Sequence, residues 1–159
     1  MQPVKIILVP TDFSPASKQA LEYACNLADM LDASLHIIHV LEDPFTSGAF
    51  SGYAPPSENF LEELARRARA ELESQLTGED KAKYAALFVL RIGSPAREIL
   101  EYVKEQGAID LVVLATAGRA GVARLMMASV ADKIVRGAPC PVLTLHPPDR
   151  ATGATYRAA

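Results

Sequence analysis

Residues 5–10 read Lys-Ile-Ile-Leu-Val-Pro, and residues 110–115 read Asp-Leu-Val-Val-Leu-Ala. Both are short runs of apolar, mostly branched side chains in which polar residues do not alternate with apolar ones. Such runs are typical of strands that are buried on both faces, as the strands of parallel sheets are. The two segments therefore predict central strands of an α/β protein.

Three further segments have the length and composition of strands, and helical patterns separate them along the chain. The additional strands are predicted at residues 34–41, 86–92 and 141–145. The predicted helices begin at Ser14, Ser57, Ser94 and Leu125 and end at Leu31, Thr77-Gly78, Gly107 and Val135, and residues 42–56 form a long loop. Strands that alternate with helices are joined by right-handed crossovers, so the sheet should be parallel with helices on both faces.

The chain has 159 residues and a formal net charge of −3. This length suits one domain, which we place at residues 1–146, followed by a polar, disordered tail over residues 147–159. Because there is no excess of basic residues, nucleic acid is not an expected partner. The apolar run at residues 5–10 is too short for a signal-peptide core or a membrane span, so we expect a cytoplasmic protein without a membrane partner.

Open α/β sheets bind ligands beyond the carboxyl ends of their strands, where the strand order reverses. The loops after the first and fourth strands would meet there, beside the end of the second strand. The Asp12 carboxylate can accept hydrogen bonds from ribose hydroxyls, and the main chain at Val40 can pair with an adenine edge. The loop from Ala115 to Val130 contains glycines and leads into a helix, whose first amides attract phosphate. The hydroxyl of Ser129 would add a further donor.

Each of these residues also has a purely structural interpretation. Asp12 and Ser14 favour turns and helix caps by themselves. Ser129 can be an ordinary residue of a helix start, and Gly118 and Gly121 can be turn glycines. Only the combination of the three segments indicates a nucleotide site.

The remaining reactive side chains do not form a catalytic pattern. The three histidines, His36, His39 and His146, have neither the spacing of a metal site nor a neighbouring nucleophile. His36 and His39 are predicted on opposite faces of one strand, because their separation is odd. The chain also lacks the GxSxG turn of serine hydrolases. We therefore do not predict an enzyme, and slow ATP hydrolysis is the most that the cleft would support.

Three stretches of the alternating pattern carry a resemblance to a known family. They are Ile7-Leu8-Val9-Pro10-Thr11-Asp12-Phe13-Ser14, Gly118-Arg119-Ala120-Gly121 and Ala138-Pro139-Cys140-Pro141-Val142-Leu143. In them the chain resembles the universal stress protein family over residues 3–146. The resemblance implies a Rossmann-like, adenine nucleotide α-hydrolase-like fold, with an open five-stranded parallel sheet in the order 3-2-1-4-5. It also implies a homodimer built partly through the last strand.

One branch of that family binds ATP through Gly, two residues, Gly, nine residues, Gly and then Ser or Thr. On this chain the pattern falls on Ala115, Gly118, Ala128 and Ser129, so alanine replaces two of the three glycines. A Cβ costs about 1 kcal/mol or more where the backbone needs a positive φ, and merely crowds the phosphates where the backbone is ordinary. The sequence leaves these two cases open.

The resemblance favours a homodimeric stress-response regulator or sensor that binds ATP or another adenine nucleotide. Mg²⁺ would be the accompanying ion, and a regulatory protein that the sequence does not identify would be a further partner. The alternative is a dimeric interaction or scaffold protein of the same family that binds no nucleotide. The residues predicted to line the site are Pro10, Thr11, Asp12, Val40, Leu114, Ala115, Gly118, Arg119, Ala128, Ser129 and Val130.

Overall fold

The computed structural model describes residues 3–42, 59–116 and 122–146, and for residues 122–129 the backbone alone. Among these residues no helix combines the length and the apolar character that crossing a membrane requires. The elements, in chain order, are β1 (Ile6–Pro10), α1 (Pro15–Leu31), β2 (Ser34–Leu41), α2 (Phe60–Glu73), α3 (Gly78–Lys83), β3 (Leu87–Ile92), α4 (Pro95–Gln106), β4 (Leu111–Ala115), α5 (Val122–Gly137) and β5 (Val142–Leu145).

The strands form one parallel sheet in the order β3-β2-β1-β4-β5, which confirms the predicted fold class and strand order. β1 lies in the middle and pairs with β2 on one side, where Pro10 is level with Ile38. On its other side it pairs with β4, where Leu8 is level with Val112. The chain order reverses between β1 and β4, so this junction is the switch point of the sheet.

Each face of the sheet carries its own apolar core. Ile7 and Val9 of β1 face the core built with α1 and α2, whereas Leu8 faces the core built with α4 and α5. All three side chains are 0 % exposed. Burying a branched side chain of this size contributes about 1.5–3 kcal/mol, so the short central strand is held from above and below. This double burial explains why its sequence lacks polar alternation.

A single carboxylate joins β1 and β4 at the amino edge of the sheet. Asp110 Oδ2 accepts hydrogen bonds from the amides of Lys5, at 2.8 Å, and Ile6, at 3.0 Å. The Asp110 amide in turn donates to the Ile6 carbonyl at 3.0 Å. These bonds fix the register of the two strands at their first residues.

The helices differ from the sequence-based prediction in two places, and one difference has a local cause. The predicted long second helix begins at Phe60 instead of Ser57 and ends at Glu73, and a short helix, α3, begins at Gly78. Thr77 does not merely terminate a helix but caps the next one, because its Oγ1 accepts from the Asp80 amide at 3.1 Å. The predicted start of the last helix at Leu125 was also wrong, since α5 begins at Val122. The tail predicted at residues 147–159 and most of the loop at 42–56 lie outside the described residues.

Helices α1 and α4 begin with the same Ser-Pro dipeptide but are capped differently. Ser14 Oγ accepts from the Ser17 amide at 3.2 Å, and Ser14 is buried. Ser94 is exposed and makes no side-chain capping bond. The two serines therefore form a matched pair in which only one cap is hydrogen-bonded.

Replacing Ser14 by alanine should lower the free energy of unfolding by about 0.5–2 kcal/mol, because the Ser17 amide loses its acceptor. Ser94→Ala should change it by less than about 0.5 kcal/mol, as substitutions of exposed, unbonded side chains do. Urea denaturation of both variants measures the difference. Equal losses in the two variants would contradict this assignment of the cap.

Gly93, between β3 and α4, has a φ of 148°, and a Cβ on it would lie 2.7 Å from Glu98 Oε1. Gly93→Ala should therefore destabilise the fold by about 1–3 kcal/mol, the usual cost of such a backbone for a residue with a side chain. Gly78 has open space around its Cβ position and no positive φ, so Gly78→Ala is the control. It should stabilise by about 0.4–1 kcal/mol through the unfolded state. If both variants unfold at the same urea concentration, this expectation is overturned.

Candidate functional site

Thr11 lies where the ends of three strands meet. Its amide donates to the Ile38 carbonyl at 2.9 Å, which extends the β1–β2 ladder by one residue. The β1–β4 register, continued from Leu8 and Val112, places Thr11 level with Ala115. The Thr11 side chain is buried, donates to Ser17 Oγ at 3.1 Å and accepts from the Phe13 amide at 3.1 Å. A hydroxyl predicted to line the site is thus occupied in holding the turn.

Asp12 follows directly and is half-buried at the mouth of this junction. Its Oδ1 accepts from the Ser14 amide at 3.0 Å, so the carboxylate does organise the turn before α1. Within the ranges that the structure describes, Oδ2 has no hydrogen-bonding partner. A carboxylate with one oxygen in a turn and the other available can accept from a ligand hydroxyl without giving up its structural bond.

Phe13 adopts a backbone conformation that bulky residues avoid, with a φ of 63°. Such a left-handed conformation costs about 1–2 kcal/mol. The Phe13 ring stacks on the His39 ring with centroids 4.2 Å apart and an interplanar angle of 29°. An aromatic pair contributes about 0.5–1.5 kcal/mol beyond its burial, which offsets much of the strain. His39 also bonds through Nδ1 to the Thr11 carbonyl at 2.8 Å.

Four other predicted site residues lie at the ends of the strands. Val40 is 9 % exposed and Leu114 is 4 % exposed, and both side chains face the core beside α4 and α5. Pro10 is half-buried at the end of β1. Main-chain atoms, rather than side chains, are therefore what Val40 and Leu114 can offer a ligand.

Ala115 is the fourth of these residues and one of the two alanines that replace glycine in the phosphate pattern. It is 7 % exposed, its side chain is part of the core beside α1, and its φ is not positive. The backbone there suits any residue, so no strain follows from the missing glycine. Its methyl group also lies in the apolar core instead of projecting into the cleft.

The rest of the predicted phosphate loop is described only in part. Gly118 and Arg119 lie outside the described residues. Ala128 and Ser129 belong to the backbone of α5, about two turns after its start at Val122. The amides that a helix leaves unpaired are those of its first turn, so residues 122–125 carry them and Ser129 does not. Val130 is half-buried and packs against the core beside α4.

The three histidines are engaged in structural contacts. His36 Nδ1 lies 2.8 Å from the Tyr102 hydroxyl on the face opposite His39, which confirms the predicted separation of the two rings. Burial lowers the pKa of His36. His146 Nδ1 lies 2.6 Å from Thr116 Oγ1, and the Thr116 amide donates to the Leu145 carbonyl at 2.9 Å. These last bonds fix the point at which the chain leaves β4.

The sequence places Phe13 and His39 in segments that meet at the site, but it gave neither residue a role there. A histidine in the strand beside Val40 was visible in the sequence, but its contact with Phe13 depends on a left-handed backbone conformation at that residue. A glycine or asparagine would have predicted such a conformation, and phenylalanine does not.

Known proteins resemble this chain in sequence and in structure. A family model described as the universal stress protein family matches residues 3–146. A universal stress protein of Methanocaldococcus jannaschii is 32 % identical over 153 residues, which cover 92 % of this chain and 84 % of the relative. The universal stress protein YxiE of Bacillus subtilis is 32 % identical over 145 residues, 88 % of this chain and 97 % of the relative.

Solved structures show the same architecture. The universal stress protein UspA of Lactobacillus plantarum superposes with a TM-score of 0.70 at 28 % identity, covering 91 % of this chain and 99 % of that protein. A universal stress protein in complex with cAMP superposes with a TM-score of 0.62 at 21 % identity, covering 91 % and 99 %. The universal stress protein of Archaeoglobus fulgidus in complex with dAMP gives 0.55 at 18 % identity, covering 90 % and 98 %. The last two show similarity of fold alone.

Proposed function

Since this chain belongs to the universal stress protein family, we propose that it binds ATP or another adenine nucleotide at the junction of β1, β2 and β4. We further propose that it acts in the cytoplasm as a homodimeric regulator or sensor of stress. Its output would be contact with a regulatory protein. Asp12 would hold the ribose, the main chain at Val40 the adenine, and the segment from Ala115 to Val130 the phosphates.

The Asp12 carboxylate is the observation that carries this proposal. It lies at the switch point of the sheet, where ligands of open α/β sheets bind. One oxygen is fixed by the Ser14 amide, so the other has a defined direction. Two ribose hydroxyls are donors, and a carboxylate oriented in this way is a suitable acceptor for them.

The chemical groups at the strand ends are compatible with an adenine nucleotide. Val40 and Leu114 bury their side chains and leave main-chain groups for the polar edge of a base. Ala115 adds no strain and directs its methyl group into the core, so this replacement is compatible with phosphates nearby. The cAMP and dAMP complexes of structural neighbours support the same ligand class. Mg²⁺ would come with the phosphates.

Calorimetric titration of ATP into nucleotide-free protein tests the proposal. Asp12→Asn keeps the turn, because an amide oxygen can still accept from the Ser14 amide, but it replaces the second acceptor by a donor. We expect ATP affinity to fall about ten- to hundredfold, since hydrogen bonds to a charged group contribute about 1.5–3 kcal/mol. Asp32→Asn is the control, because Asp32 lies at the opposite edge of the sheet, before β2, in a left-handed conformation that asparagine tolerates.

The same ATP titration is carried out on Ala115→Gly and Ala128→Gly, which restore the two missing glycines. Ala115→Gly should leave ATP affinity within about twofold, because the backbone at this position does not require glycine. Lack of ATP binding by the native chain, with binding gained only when the glycines are restored, would overturn nucleotide binding as its function. The protein would then be the dimeric scaffold that the sequence left as the alternative.

The proposed dimer rests on β5, an edge strand of the described sheet. The carbonyls of Pro141 and Leu145 accept from the amides of Val112 and Thr116 in and after β4. Because main-chain groups alternate in direction along a strand, those of Val142 and Thr144 point away from β4. Such an edge is a template for another strand, and two copies related by a two-fold axis would pair their β5 strands antiparallel.

Thr144→Pro removes one outward amide without breaking a bond to β4, because proline is tolerated where a strand's N–H faces outward. We expect multi-angle light scattering to give the mass of two chains for the native protein and of one chain for Thr144→Pro. Thr144→Val is the control, since it keeps the amide and the branched shape, and it should remain dimeric. A native protein with the mass of a single chain would contradict the proposed assembly.

A further inference from the structure

One side chain of β2 contacts both neighbours of Asp12. His39 Nδ1 lies 2.8 Å from the carbonyl oxygen of Thr11, the residue before Asp12. The His39 ring stacks on that of Phe13, the residue after Asp12, with centroids 4.2 Å apart. His39 therefore holds the turn on either side of the carboxylate.

The two contacts constrain different degrees of freedom. A carbonyl oxygen can only accept, so Nδ1 carries the proton and donates to Thr11, which fixes both the tautomer and the plane of the ring. The stacked ring then supports Phe13 in its left-handed conformation, with a φ of 63°. That conformation turns the chain so that the Ser14 amide reaches Asp12 Oδ1. The direction of the second carboxylate oxygen follows from this bond.

We propose that His39 is a positioning residue of the nucleotide cleft, which orients Asp12 toward ribose by holding Thr11 and Phe13. This inference rests on the proposed function, because ribose is the group that Asp12 would recognise there. His39 also precedes Val40 in β2, so one residue aligns the ribose side of the cleft with its adenine side. Asp12 itself makes the contact with the ligand.

His36 provides a matched control on the same strand. Its ring lies on the opposite face, where Nδ1 is 2.8 Å from the Tyr102 hydroxyl. His36→Ala removes an imidazole and a hydrogen bond of equal length, but it leaves the turn at Asp12 untouched. His39→Phe is a second test variant, since it keeps a ring against Phe13 and loses the bond to Thr11.

The first measurement is amide hydrogen exchange of Phe13 and Ser14 without nucleotide. Their amides bond to Thr11 Oγ1 and Asp12 Oδ1, so they report directly on the turn. Both should exchange about tenfold faster or more in His39→Ala, by a smaller factor in His39→Phe, and at the native rate in His36→Ala. If His39→Ala does not fold, the comparison of His39→Phe with His36→Ala decides the question.

The second measurement compares affinities for ATP and 2′,3′-dideoxy-ATP, which lacks both ribose hydroxyls. We expect the native protein to prefer ATP about tenfold, and His36→Ala to keep that preference. In His39→Ala the ratio should fall to about one, as in Asp12→Ala, and the double variant should lose no more. General damage to the fold would weaken both nucleotides equally and leave the ratio unchanged.

The outcomes separate this inference from the proposed function. Native exchange rates at Phe13 and Ser14 in the His39 variants, or an unchanged preference for ATP, would overturn the role of His39. A native protein that binds neither nucleotide would overturn the proposed function and, with it, the part of His39 in ribose recognition. The exchange rates would then still decide whether His39 holds the turn.

Discussion

The burial of β1 on both faces, with a strand paired at each side, is the constraint on which the rest of the structure depends. Ile7, Leu8 and Val9 are 0 % exposed, so the strand can be neither an edge nor a surface strand. Parallel neighbours on both sides require crossover helices, and right-handed crossovers that run in opposite directions along the sheet lie on opposite faces. The switch point is a geometric result of this arrangement. It depends on the order of the strands and not on the identity of the residues that line the cleft.

The turn after β1 combines structural and binding roles in adjacent residues. The Thr11 hydroxyl donates to Ser17 Oγ, and the Ser17 hydroxyl donates to the Ser14 carbonyl. Phe13 adopts an unfavourable backbone conformation, in which its ring stacks on that of His39. Asp12 has one carboxylate oxygen bound to the Ser14 amide and the other without a hydrogen-bonding partner among the described residues. Strained backbone beside an available carboxylate is a combination found at binding sites more often than in ordinary turns.

Sequence patterns predicted the strands and helices well where neighbouring residues along the chain determine them. All five strands were found because their residues form short apolar runs, even in the partly buried edge strands β3 and β5. The starts of α1 and α4 were found because proline is favoured in the first turn of a helix. The order of the strands came from family resemblance, since no local pattern specifies which strands pair. Helix α3 was missed although Thr77 and Asp80 carry a capping signal. The environment of Ala115 and the contact of His39 with Thr11 depend on packing between distant segments, which composition and spacing do not encode.

Asp110 aligns β1 and β4 at the edge of the sheet opposite the cleft. Two strands that are registered from their first residues do not need their last residues, or the loops beyond, to find each other. Insertions, deletions and exchanged residues at the far edge can therefore accumulate without shifting the sheet. The fold thus separates the edge that sets the alignment of the strands from the edge that carries the cleft, so residues at the cleft can differ without a change in strand register.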